Sequence, residues 1–495
     1  MEVVSSVLQL LTYLFVFLLG IGVLWIIVLY IIDVSQTKHA IRRNFPVIGR
    51  FRYFFEKLGE FFRQYFFALD REEMPFNRAE RTWVYRAAKG EDTTVAFGST
   101  RDLRRVGTVI FANTAYPTLE KDGLTPKMYT IGPHCRHPYL TDKMFHISGT
   151  SFGAISKPAV IALSRGARKA GCWMNTGEGG LSSYHLEGGA DIVFQIGTAK
   201  YGVRNEDGTL SEEKLAAVAA HEQVRMFELK LSQGAKPGKG GILPGIKVTE
   251  EIASIRGIPV GEDSISPNRH PEIDDAESLL AMLEKVREIT GKPVGFKAVF
   301  GGYEWFDEFL QLVARKGPEH APDFITVDSG DGGTGAAPQA LIDNVGLPIR
   351  ETLPVVVDLL RKYNLKQRVH VISSGKLVNP EYVAAAFCQG ADFVVTARGF
   401  MFALGCIQAL QCNKNTCPTG VTTHDPRLQR GLVPSDKAER VFHYQQTVEK
   451  EIAIIAHSCG VARPRQLRRR HARIVQSNGL SIPMDQLYPG EQFDT

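Results

Sequence analysis

The first pattern in the chain is also its longest. From Val7 to Ile32 no side chain is charged, and as a helix this run spans about 39 Å, more than a hydrocarbon core of about 30 Å. A cleaved signal peptide would show a shorter apolar stretch behind a basic start, whereas only Glu2 carries charge ahead of this run. The next stretch, Phe45 to Phe67, interleaves aromatic residues with Arg and Lys. That mixture suits either an interfacial helix lying on a bilayer or a helix packed on the body of the protein. From Phe145 the pattern changes again, to short apolar runs that end in Gly or polar residues. Eight such runs follow, beginning at Phe145, Cys172, Asp191, Met226, Val294, Asp323, Val369 and Phe393. Helical periodicity separates most of them, as in the segments that open at Ser211 and Asp275. Eight strands alternating with helices predict an α/β fold, a parallel (β/α)8 TIM barrel.

This reading divides the chain into a transmembrane anchor over 1–35, a juxtamembrane and pre-barrel segment over 36–144, the barrel over 145–423 and a short helical C-terminal tail over 424–495. The connection from Gln233 to about Thr290 is long for a barrel loop, and loops of that length are usually functional. In the tail, Lys437 to Cys459 reads as one amphipathic helix, and 462–473 holds six Arg. Such a run touches anionic lipid or nucleic acid, or it is a solvated face or a partner for the barrel's acids.

Charge and composition then narrow the class. With 58 Lys and Arg against 53 Asp and Glu, the net charge of +5 is too thinly spread to imply a nucleic-acid partner. A 44% hydrophobic content excludes a disordered chain. Lys38, Arg42, Arg43, Arg50, Arg52 and Lys57 follow the apolar run directly, so the positive-inside rule predicts a single-pass membrane protein with its catalytic body in the cytoplasm. Seven cysteines, an odd number in a large chain, argue against a disulfide framework.

Barrel chemistry sits at the C-terminal ends of the strands. There the sequence places Ser151, Glu178 within Asn175–Gly180, Gln195, Lys230, Lys297, and Ser329, Asp331, Gly332 and Gly333 within Asp328–Gly335. Gly375 and Lys376 follow the seventh strand; Ala397, Arg398 and Gly399 follow the eighth. Gly330, Gly332 and Gly335 satisfy the dinucleotide fingerprint G-x-G-x-x-G. A Rossmann unit, however, wants it after the first strand of a domain, with an acid about 20 residues on. The alternative is a backbone-rich loop along a flat ring system. Loops after strands seven and eight form the usual phosphate site of such barrels, and with Lys297 available to the ring the expected cofactor is FMN.

Cys406, Cys412 and Cys417 read C-x5-C-x4-C, closed by Pro418. Cysteine thiolates hold iron–sulfur clusters, often with such a Pro, whereas zinc sites show paired C-x2-C spacing and a fourth ligand. Three thiols suit a three-iron cluster or a four-iron cluster with an open position; three buried structural cysteines are the alternative. Cys135, flanked by His134 and His137, reads as a loop.

Together SFGAIS, NTGEGG, QGAKPGKGG-x-LPG-x-KV, ISPNRH, SGDGGTGAAP and C-x5-C-NKNTCP-x-GV resemble, in order, the FMN-containing synthase domain of the glutamate synthase family. The resemblance implies FMN at the barrel mouth and a 3Fe–4S cluster on Cys406, Cys412 and Cys417. It also implies reduction of the imine of 2-oxoglutarate and ammonia to glutamate, or the reverse. Glu178 matches the family's active-site acid, while Lys236 and Arg256 match the residues that hold the substrate's carboxylates. Two positions depart: Ile242 stands where the synthases carry Gln, and Lys200 where they carry Arg. An Ile cannot hydrogen-bond a carboxylate, which opens a different amino or oxo acid as substrate. A non-catalytic flavoprotein subunit of a membrane complex is the reading from another class. No glutaminase nucleophile is expected, so ammonia would come from solution or a partner; the electron donor would be a ferredoxin, a partner subunit or the quinone pool.

Overall fold

The computed structural model describes residues 2–490. The chain divides into two compact units, 1–79 and 80–495. In the first, the helix Glu2–Ser35 carries the apolar run. Within it Val3–Ser35 is long and apolar enough to cross a membrane, and its most apolar stretch is not covered by protein. A short helix, Ala40–Asn44, and an amphipathic one, Gly49–Phe62, follow.

The second unit is built on a closed barrel of eight parallel strands. In chain order these are β1 (Phe145–Ile147), β2 (Met174–Asn175), β3 (Ile192–Ile196), β4 (Val224–Lys230), β5 (Val294–Val299), β6 (Phe324–Asp328), β7 (His370–Ser374) and β8 (Phe393–Thr396). All eight sequence-expected strands form, and β8 closes the barrel on β1 with Val394 opposite Phe145. Nearly every strand residue is buried, as expected where helices cover the outside and side chains fill the inside. The closed parallel sheet excludes the Rossmann reading of the glycine loop after β6. Short helices are set by local chemistry: Ser156 caps Lys157–Ala170, Asp275 caps Ala276–Thr290, and Gly171 and Gly291 end them in the left-handed region.

Two smaller pieces complete the unit. A hairpin of Tyr129–Ile131 and Tyr139–Thr141 lies against Trp173, Phe324 and Phe393 in one core cluster, plugging the N-terminal end of the barrel. Val109–Phe111 pairs with Ala472–Val475, which pairs in turn with Ser481–Pro483. The tail helix runs Pro434–Ser458. The arginine-rich segment packs on the barrel: Arg469 is fully buried and pairs with Asp358 at 2.7 Å, and Arg465 stacks 3.7 Å over the Tyr129 ring.

Candidate active site at the barrel mouth

Glu178 stands where the ends of β2, β3 and β4 meet, with Gly197 against its Cβ and Lys230 on its carboxylate. It sits on a single 3-10 turn, Gly177–Gly179, just after β2. Its Oε2 accepts from Lys230 Nζ, the last residue of β4, at 3.0 Å. Its Oε1 faces Gly241, where a Cβ would fall 2.0 Å away, so any side chain at 241 would displace the acid. Burial works against the charge of Glu178, but Lys230, Lys236 and Arg256 together hold its carboxyl below the ordinary value. The acid is therefore an ionised group inside a cage of cations.

Lys236 comes from the long connection after β4 and is 2% exposed. It donates to the Ala336 carbonyl at 3.0 Å. Burial pushes its pKa down to about 8, Glu178 opposing and Lys230 and Lys239 adding to the fall. Arg256 ends the helix Glu250–Arg256, which Thr249 caps and Gly257 terminates at φ +65°; that length aims the guanidinium inward. It donates to Ser264 Oγ at 3.0 Å and the Phe152 carbonyl at 3.4 Å, and lies over the Tyr201 ring. The three residues matched by resemblance thus come together from three separate segments.

A second polar layer lies deeper in the barrel. Glu228, two residues before Lys230 and so on the same face of β4, accepts from Asn175 at 2.9 Å, Gln195 at 2.6 Å and Thr326 at 2.6 Å. Lys297 pairs with Asp328 at 3.0 Å. Burial would lower its pKa, but Asp328 and Glu228 raise it above the ordinary value, so β5 holds a fixed positive charge at the centre of the mouth. Glu228 is absent from the sequence-derived site, and Asp328 enters it only as the first residue of the Asp328–Gly335 run. The available signal was an acid inside an apolar strand, since such a group survives burial only when partnered.

The remaining candidates surround β6, β7 and β8. Ser329 donates to Asp331 and accepts from the Ile349 amide at 2.9 Å. Asp331 pairs with Lys376 at 2.9 Å, and Arg398 also contributes to holding its carboxyl low against the effect of burial. Gly332 closes a turn onto the Ser329 carbonyl, and Gly333 lies against the Arg398 side chain. Gly375 meets Ser329, where a Cβ would lie 2.2 Å from the Ser329 Cβ. Ala397 opens the helix Arg398–Leu404; Gly399 packs under the Tyr444 hydroxyl and its N–H donates to Thr396. Ser151 lies in the loop after β1, against Gly177 and Gly179.

These residues fit a flavin mononucleotide. Lys376 and Arg398, which follow β7 and β8, stand together beside Asp331, two cations suited to a phosphate. Ser329, Gly332, Gly333 and Gly375 give a surface without bulky side chains, and in the loop after β1 Thr150 Oγ1 is buried without a hydrogen-bond partner among the described residues.

The cysteines lie on the loop beyond the helix that Arg398 opens. Cys406 Sγ accepts from the Gln408 amide at 3.5 Å, and its carbonyl accepts from Tyr85 at 2.7 Å. Burial pushes the Cys406 thiol up to about 12, with Cys412 and Cys417 adding to the rise. Among the described residues no three His, Cys, Asp or Glu side chains converge as a ligand set. The donor chemistry still fits a cluster: three neighbouring thiols, and beside Cys412 and Cys417 the buried cation Lys247, whose charge they support. Lys247 donates to the Ala154 carbonyl at 2.6 Å and the Cys412 carbonyl at 3.3 Å, tying the cysteine loop to the loop after β1. Sequence reasoning passed over it, since a lone Lys in a loop carries no signal of burial.

Comparison with known proteins agrees with this architecture. The family described as a conserved region in glutamate synthase matches residues 111–462. A glutamate synthase large subunit-like protein, YerD of Bacillus subtilis, is 39% identical over 95% of this chain and 97% of its own. An archaeal-type glutamate synthase [NADPH] from Thermotoga sp. is 35% identical over 64% of this chain, which spans 59% of that relative's length. The archaeal glutamate synthase [NADPH] of Methanocaldococcus jannaschii is 33% identical over 67% of this chain and 62% of its own. With the match running from Phe111 through the barrel to the start of the arginine-rich segment, the chain belongs to the glutamate synthase family.

Proposed function

We propose that this protein is an FMN- and iron–sulfur-dependent oxidoreductase of glutamate synthase type. It reduces the imine of 2-oxoglutarate and ammonia to glutamate, or runs the reverse. The observation that carries the reading is Glu178, kept ionised at the barrel mouth by Lys230, Lys236 and Arg256. That cage, with Lys297 beyond it, is a site for a dianionic substrate. Lys236 and Arg256 bind its carboxylates, Arg through a planar fork. Glu178 Oε1, with Oε2 engaged by Lys230, takes a proton from the attacking ammonia and returns one to the departing water. FMN, when bound, supplies the two-electron chemistry that reduces the imine. Ser151, Gln195, Lys230, Lys297, Ser329, Asp331, Gly332, Gly333, Gly375, Lys376, Ala397, Arg398 and Gly399 would surround it, with Lys376 and Arg398 on its phosphate. Turnover of 2-oxoglutarate and ammonium with an artificial reductant tests the reading; FMN-loaded protein inert to both substrates, in both directions, overturns it.

Cys406, Cys412 and Cys417 would hold the 3Fe–4S cluster and relay electrons. Replacing any one by Ser should abolish iron and sulfide incorporation, whereas Cys388→Ser and Cys459→Ser should leave both intact. Zinc without sulfide in the wild type would end the relay idea. The apolar helix Val3–Ser35 would anchor the enzyme as a single pass, with the body in the cytoplasm.

Binding should also follow Lys236. A carboxylate ligand favours its protonated form, so affinity is complete below about pH 8 and falls as the pH rises through that value, by up to tenfold per pH unit. Lys236→Arg should carry the plateau higher. Calorimetric titration with 2-oxoglutarate between pH 6.5 and 9.5 checks both, and a flat wild-type profile would contradict the assignment.

One observation favours a different acid as substrate. Ile242, half-buried, pairs with Ile265 in a two-stranded ribbon beside Gly241 and Glu178. A carboxylate lacking one donor loses about 1–3 kcal/mol, or about 5- to 150-fold in affinity. Ile242→Gln should tighten 2-oxoglutarate by that factor if it is the substrate. If the substrate carries an apolar group there, the same change weakens it. Titration of flavin absorbance reads the difference; tight binding to the wild type that Ile242→Gln leaves unchanged would show that position 242 does not read the substrate.

A further inference from the structure

In the first unit, the helix Gly49–Phe62 and the turn after it carry one continuous aromatic face. Phe51, Phe54, Phe55, Phe62, Tyr65 and Phe66 recur at helical spacing and are between 37% and 66% exposed. An apolar face this large is not left in water. The opposite face carries Arg50, Arg52, Glu56, Lys57, Glu60 and Arg63.

The helix is not on a loose tether. Asp33, at the last turn of the apolar helix and fully buried, accepts from Arg50 Nε and Nη2 at 2.8 Å and from the Val47 amide at 3.0 Å. Gln36 bonds the Asp33 and His39 carbonyls and accepts from the His39 amide. Gly49 packs on Ile41, where a Cβ would lie 2.8 Å from its carbonyl oxygen. Arg42 stacks on Tyr53 at 4.8 Å. This elbow uses the polar side of the amphipathic helix, so the aromatic face points away from it.

We infer that residues 49–67 lie in the plane of a lipid bilayer as a second, interfacial anchor, held there by the Asp33–Arg50 elbow. The inference rests on the membrane reading of the apolar helix. Three features select lipid as the occupant. The uncharged run is about 39 Å long, which brings Asp33 and the elbow to the surface of a core of about 30 Å. Phe on the apolar face with Lys and Arg on the polar one is the composition of helices that lie in the interface plane. Between Lys38 and Arg63 there are seven Lys and Arg against two Glu, complementary to anionic headgroups.

The test uses the full chain in vesicles of phosphatidylcholine and phosphatidylglycerol, with photoreactive benzoylphenylalanine replacing single residues. At Phe55 and Phe62 the products should be lipid adducts, at least tenfold above those at Glu56 and Glu60. Replacing Leu18 tests the span itself: no lipid adduct there overturns the membrane reading, whereas adducts at Leu18 but not at Phe55 and Phe62 overturn only the interfacial helix. Cross-links from Phe55 to the barrel of the same chain, or to a second copy, also overturn it. Combining Asp33→Asn with Gly49→Ala should open the elbow and lower the Phe55 yield severalfold while leaving that at Leu18 unchanged.

Discussion

Glu178→Gln should lower turnover by about 10²- to 10⁴-fold, the range expected for loss of one positioned acid–base group, while leaving flavin content at the wild-type level. The amide keeps the shape and can still accept from Lys230, so the loss isolates proton transfer and charge from packing. It also removes the carboxylate that Lys230, Lys236 and Arg256 surround. With that opposing charge gone, burial should push Lys236 still lower, and the pH at which 2-oxoglutarate binding is lost should move below about 8. Lys230→Met gives the complementary result: Glu178 loses its 3.0 Å partner in a buried site, its pKa rises, and the acidic limb of the rate profile moves to higher pH. Glu178→Gln with turnover within threefold of wild type would remove the acid from the chemistry.

The barrel was legible because a parallel strand covered on both sides has no polar face. The eight runs are mostly apolar, interrupted by single polar residues such as Gln195, Glu228 and Lys297, and their polar ends mark the mouth. Boundaries were less legible. The run at Cys172 reads as five residues, yet only Met174 and Asn175 form β2, since Gly171 and the 3-10 turn at Gly177 close in from either side. The ribbon of Ile242–Leu243 with Ser264–Ile265 escaped notice, because strands of two residues have no period to read.

In the site, legibility followed chain position. Lys376 and Arg398 could be named because each follows a strand, and Lys297 because a Lys interrupts the otherwise apolar run of β5. The Glu228 network could not, since its three donors come from β2, β3 and β6 and only the closed barrel brings them within 3 Å. The same limit applies to Lys247, whose two acceptors lie on loops about 90 and 165 residues away in sequence. The arginine-rich segment shows the opposite error. As a string it reads as a solvated or lipid-facing run, while Arg469 is one of the largest fully buried side chains in the molecule.

Arg469→Met should therefore cost about 3 kcal/mol of stability, more than any change at the exposed arginines beside it. Its Nη1 donates to Asp358 at 2.9 Å and the Tyr488 carbonyl at 2.7 Å. Nη2 donates to Asp358 at 2.7 Å and the Pro354 carbonyl at 3.1 Å. Removing one partner of a buried pair usually costs about 3–5 kcal/mol. The lower end applies because Asp358 is 26% exposed and keeps Arg361 at 3.2 Å. The carbonyls of Pro354 and Tyr488 lose their donors as well, so the segment carrying Ala472–Val475 should detach first and expose Val109–Phe111. Urea unfolding followed through tryptophan fluorescence, with Trp173 in the core cluster at the barrel bottom, measures the loss. Adding Asp358→Leu to Arg469→Met should recover most of it, because the stranded carboxylate is then gone. A single-variant loss below about 1 kcal/mol would mean that the pair does not pin the tail to the barrel, and that the backbone pairing of Ala472–Val475 alone holds it.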